Sequence, residues 1–126
     1  MKQQMKPTEA ELEILQILWS SKTASVRQVH DELSKHKESG YTTTLKIMQI
    51  MYEKGMVTRV EQGRHHVYKA AIEEVTTQNL LLSRFIDRTF MGSASKMVMQ
   101  ALGNQSVSKD ELDEIKELLK TLDGGK

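Results

Sequence analysis

Apolar residues return every three or four positions through the first third of the chain. Leu12, Leu15, Leu18 and Trp19 share one helical face, which Ile14 and Ile17 widen. Thr8 followed three residues later by Glu11 predicts a reciprocal cap at the start of that helix, and Pro7 discourages an earlier one. The period breaks over Ser20 to Ala24. Ser25 and Gln28 then form a second capping box, opening a helix with Val26, Val29 and Leu33 inward and Arg27, Gln28, Asp31 and Glu32 outward. A polar connection from Ser34 to Gly40 leads to Tyr41 and three consecutive threonines. These begin a third helix, with Thr44, Met48 and Met51 inward, which ends at Lys54 against Gly55.

Beyond Gly55 the period changes. Met56 to Glu61 and His65 to Ala70 are rich in β-branched and aromatic residues, and Gln62, Gly63 and Arg64 between them predict a hairpin turn. Helical spacing resumes from Val75 to Phe90 through Leu80, Leu81, Phe85 and Ile86, with Gly92 as a stop. A shorter helix follows over Ser93 to Leu102, through Met97, Val98 and Ala101, and is expected to break at Gly103 and Asn104. A third capping box, Ser108 with Glu111, opens a last helix striped by Leu112, Ile115, Leu118, Leu119 and Leu122, and Asp123 to Lys126 reads as a frayed tail.

Helix, helix, helix, hairpin is the element order of a winged helix-turn-helix. The predicted fold is therefore mainly α with a small β-hairpin. Residues 1–72 form a winged-helix DNA-binding domain, residues 73–126 a helical dimerisation domain, and the hinge falls near Ala70 to Val75. Three helices of this size enclose little apolar surface alone, so the stripes through Leu81, Phe85, Met97, Val98, Leu112, Ile115, Leu118 and Leu119 are expected to pair with those of a second copy.

Composition narrows the chemistry. The chain has 126 residues and a net charge of +1, but that charge is unevenly spread. Residues 41–69 hold five basic and two acidic groups, a balance of +3, whereas residues 70–126 hold seven and nine, a balance of −2. A local basic stretch in a nearly neutral protein suits one polyanion-binding surface. With no cysteine, disulfides, thiolate metal sites and thiol catalysis are excluded, and a reducing, cytoplasmic setting is expected. No apolar run approaches the ~20 residues of a membrane span, and the amphipathic start predicts no export signal. His65 and His66 alternate across a strand, and His30 and His36 lack helical ligand spacing, so neither a metal nor another cofactor is expected. The phosphate-loop, dinucleotide, nucleophile-elbow and zinc-protease motifs are all missing, and the chain is not expected to be an enzyme.

In a winged helix the third helix enters the major groove. The outward residues here are Thr42, Thr43 and Lys46, with Gln49 reaching a base if the helix enters steeply. Threonine offers a hydroxyl and a methyl, and lysine an ammonium for phosphate or guanine. The plainer alternative is that Thr42 caps the helix and Lys46 is merely solvated. Arg64 and His65 at the hairpin tip suit a flanking groove or backbone, although an exposed turn tolerates such residues without purpose. A winged helix can also dock protein instead of DNA, and charge separates the two, because only the DNA reader depends steeply on salt.

The segments PTEAELEILQILW, YTTTLKIMQIMYEKGMV, GRHHVYKA, FMGSASKMVMQAL and SKDELDEIKELL together resemble the BlaI/MecI type of penicillinase repressors, nearly end to end. The resemblance implies a homodimeric transcriptional repressor on a dyad-symmetric double-stranded operator, with recognition carried by Thr42, Thr43 and Lys46 and support from the wing around Arg64. Gln49 and Ile50 stand where many relatives have basic residues. Well-known relatives are cleaved at an Asn-Phe bond in response to a membrane sensor-protease, a possible partner pathway here, but the matching pair in this chain is Gln100 and Ala101. Copper-responsive relatives use clustered cysteines, which this chain lacks.

Overall fold

The computed structural model describes residues 5–104 and 106–124. They form α1 (Glu9–Ser21), β1 (Ala24–Ser25), α2 (Val26–Ser34), α3 (Tyr41–Lys54), β2 (Val57–Gln62), β3 (His65–Ala70), α4 (Glu74–Phe90), α5 (Ala94–Asn104) and α6 (Lys109–Gly124). Two compact units result, Met1–Leu82 and Ser83–Lys126, and the division falls within α4.

All three expected capping boxes form. Thr8 and Glu11 exchange hydrogen bonds of 3.0 and 3.2 Å, Ser25 and Gln28 bonds of 2.8 and 3.2 Å, and Ser108 and Glu111 two of 3.1 Å. Each box satisfies two backbone groups that would otherwise face water unpaired at a helix start. At the end of α3, Gly55 takes a left-handed conformation with φ 87°, and its N–H closes on the carbonyls of Met51 and Tyr52.

The first unit is a winged helix whose core is built from the inward positions of every element. Ile14, Leu15 and Leu18 from α1, Val29 from α2 and Met48 and Met51 from α3 are buried against Val57 and Tyr68 of the wing. Full burial of such a side chain stabilises by about 1.5–3 kcal/mol. Thr44, also fully buried, bonds its hydroxyl to the Gly40 carbonyl. The half-buried Trp19 donates its indole N–H to the Ile72 carbonyl at 3.0 Å, fixing the segment after β3 onto α1.

The hairpin is part of a three-stranded antiparallel sheet in the order β1-β3-β2. Ala24, read from sequence as part of an interruption, and Ser25, which also caps α2, pair with Tyr68 and Val67. The β2–β3 register runs from Val57 opposite Ala70 to Gln62 opposite His65, so the loop is only Gly63 and Arg64. Gly63, at φ 60°, supplies the positive φ that a two-residue hairpin loop needs.

In the second unit, α5 continues through Gly103 and Asn104, where a break was expected. An exposed glycine inside a helix costs only about 1 kcal/mol relative to alanine and need not end it. The tail expected from Asp123 is helical as far as Gly124, and the rest of it lies outside the described residues. Neither α5 nor α6 contains a buried residue.

Candidate nucleic-acid interface

Two opposed stripes run along α3. Thr44, Met48 and Met51 face the core, and directly opposite, at the same spacing, Thr42, Lys46, Gln49 and Glu53 face solvent with Thr43 and Ile50 beside them. The helix begins at Gly40 without a side-chain cap bond, so Thr42 is not its N-cap. The first-turn amides of α3 therefore present the positive end of the helix dipole next to two outward hydroxyls, an arrangement that suits phosphate. Glu53, at the far end of the stripe, is unfavourable toward a polyanion.

Two of the basic groups of the middle segment are engaged within the fold. The Lys54 ammonium is 2.8 Å from the Glu11 carboxylate, and the Arg59 guanidinium lies 3.9 Å from the centroid of the Tyr52 ring and donates to the Tyr68 hydroxyl. Lys46, Arg64 and Lys69 remain on the exposed surface, together with His65. The tight turn places Arg64 and His65 at the extremity of the wing. His66 turns to the other face, with its ring centroid 6.4 Å from that of Tyr68.

Two contributors escaped the sequence reading. Arg27 of α2 reaches over the ring of Tyr41 at 5.2 Å, and His30 meets the same ring edge-on at 5.7 Å. Tyr41 is the first residue of α3, so this cluster sets an outward arginine beside the helix start that carries Thr42 and Thr43. Only the long spacing between Arg27 and Tyr41 hid it, because the pair meets through helix packing and not through any local motif.

Glu11 is buried. Burial pushes its carboxyl up, but the hydrogen bond from Lys54, the bonds from Thr8 and the attraction of the Lys54 charge together hold it below its ordinary value of 4.5. Among the described residues no group of three or more His, Cys, Asp or Glu side chains is placed to hold a metal. No described helix is long and apolar enough to cross a membrane.

The expected pairing residues lie on α4, α5 and α6. Leu81, Met97 and Ile115 are half-buried, whereas Phe85 is 50% exposed, Val98 42%, Leu112 37%, Leu118 56% and Leu119 54%. Gln100 and Ala101 are exposed on α5.

The chain is similar to known proteins over most of its length. The family described as penicillinase repressor matches residues 7–121. The methicillin resistance regulatory protein MecI of Staphylococcus aureus (strain N315) is 24% identical over 112 residues, covering 89% of this chain and 91% of MecI. The penicillinase repressor of Bacillus licheniformis is 27% identical over 112 residues, covering 89% and 88% of the two chains. The transcriptional regulator BlaI of Mycobacterium tuberculosis is 25% identical over 119 residues, covering 93% and 85%. A solved structure of a mutant MarR from E. coli complexed with operator DNA aligns with a TM-score of 0.49 at 14% identity, over 92% of this chain and 75% of that one. With a match spanning nearly its whole length, the chain belongs to the penicillinase repressor family.

Proposed function

We propose that this transcriptional repressor binds a dyad-symmetric DNA operator as a homodimer, with residues 1–72 reading DNA and residues 73–126 holding two copies together. The observation that carries the reading is the outward stripe of α3, where Thr42, Thr43, Lys46 and Gln49 stand opposite a fully buried stripe. A helix anchored so firmly on one side presents the other as a rigid surface for the major groove, and Arg64 with His65 extends the contact to the flanking backbone. The apolar side chains left exposed on α4, α5 and α6 form a surface that a second copy would cover.

Each half-site contact is weak alone. Linking two readers makes the second binding event intramolecular, which can raise avidity by ~10²–10⁴. Repression then ends when the pairing module is cut or rearranged, with no change at the DNA-reading surface. If a membrane sensor-protease is the inducing partner, Gln100–Ala101 is the bond to examine, and because it lies within α5 the helix must unwind locally before a protease can take it.

The test is a salt titration on a duplex recovered from a random-sequence pool by the full chain. Lys46→Ala and Arg64→Ala should each weaken binding and reduce the slope of log K against log salt by about one, the signature of one lost phosphate contact. Binding that ignores salt and both substitutions would instead identify a protein-docking module.

A further inference from the structure

We propose that Arg59 is a positioning residue that sets the angle of the wing against the recognition helix, so that Arg64 meets DNA only while Arg59 bridges Tyr52 and Tyr68. This rests on the wing contact proposed above.

The inner face of the hairpin carries a column of side chains. Along β2 and β3 the register places Val57 opposite Ala70, Arg59 opposite Tyr68 and Glu61 opposite His66. Val57 and Tyr68 are buried in the core, so this face looks inward at the base of the wing. Arg59 is where the column touches α3. Its guanidinium lies 3.9 Å from the centroid of the Tyr52 ring, and its Nη1 donates to the Tyr68 hydroxyl at 3.3 Å. A planar, permanently charged fork can satisfy an aromatic face and a hydroxyl together, which a point-like ammonium does less well.

That bridge lies at the last inward-facing pair that β1 still supports. β1 reaches β3 only at Tyr68 and Val67, so from His66 outward the hairpin is a two-stranded ribbon. From the Arg59–Tyr68 pair to the Gln62–His65 pair the ribbon is a lever of about 10 Å at ~3.3 Å per residue, over which a tilt of about 10° moves the tip by about 2 Å. Such a shift carries a hydrogen bond of ~2.9 Å well past its working length and is enough to lose a phosphate.

Tyr68→Phe is the sharpest test because Tyr68 is 1% exposed and cannot itself touch DNA. It removes one hydroxyl, leaves the ring in the core and changes no charge. Affinity for the pool-selected duplex is measured for the full chain, for Tyr68→Phe, for Arg59→Met, and for each combined with Arg64→Ala, with thermal unfolding followed in parallel. Both single substitutions should weaken binding roughly three- to tenfold, up to the loss of one wing contact, and in the Arg64→Ala background the further loss should be below about twofold. Equal losses for Arg59→Met in both backgrounds, with a further drop of about one in the salt slope, would show that Arg59 contacts phosphate directly and would overturn the proposal. Unchanged binding in Tyr68→Phe and Arg59→Met would also overturn it. If Arg64→Ala alone leaves binding intact, the wing reading fails first and takes the proposal with it. A variant that binds weakly but unfolds at the parent temperature supports positioning over loss of fold.

Discussion

Glu11 shows how one side chain serves three neighbours. It caps α1 through the Thr8 amide, lies buried at the junction with α3, and accepts a hydrogen bond from Lys54 at the last turn of that helix. Its folded-state pKa is depressed, so the stability it contributes is fully present above about pH 4.5 and is lost as pH falls through the lower folded value. Glu11→Gln keeps an acceptor for the cap but removes the charge. Urea unfolding should show a loss of about 1–2 kcal/mol at pH 7 that shrinks as pH falls below 4.5, and a difference independent of pH would refute the ion-pair account. The cap could be read from Thr8-x-x-Glu11, because that bond is local. The Lys54 partner could not, because it lies 43 residues away and depends on how α1 and α3 pack.

At the scale of elements, the helices were legible because a 3.6-residue apolar period and a cap are written within a dozen positions. Thr44, Met48 and Met51 are buried as their spacing implies. β1 was not legible. Two residues cannot show an alternation, and Ala24 becomes a strand only because Tyr68 offers it an edge. The same holds for Arg59, whose role depends on the hairpin register. The turn from α3 into the wing is a sharper case, since Gly55 at φ 87° occupies a region that side chains avoid. Gly55→Ala should lower stability by about 1–2 kcal/mol, with Gly55→Asn losing less, and equal urea midpoints for Gly55→Ala and the parent would show that the backbone there is unstrained.

For the whole molecule, the first unit buries its apolar stripes within itself, whereas α5 and α6 bury none. The leucine pattern made these stripes visible in the sequence, and on the proposed reading the surface that covers them belongs to a second copy. Leu118 and Leu119 are 56% and 54% exposed, so replacing both with Asp should leave the winged helix folded. Sedimentation equilibrium should then show monomers, with operator affinity reduced by roughly 10²-fold or more through lost bivalency. A variant that remains dimeric would place the pairing surface elsewhere.

The indole of Trp19 has a use of its own. It is the only tryptophan in the chain, and its N–H is held by the Ile72 carbonyl, so excitation at the red edge, where the three tyrosines do not absorb, reports on the first unit alone. Its emission should shift to the red when the winged helix melts and remain silent while α5 and α6 unravel. Far-UV circular dichroism sums every helix. Two denaturation curves that diverge would therefore resolve the reader and the pairing module as separately melting bodies, and curves that superimpose would make the chain one cooperative unit.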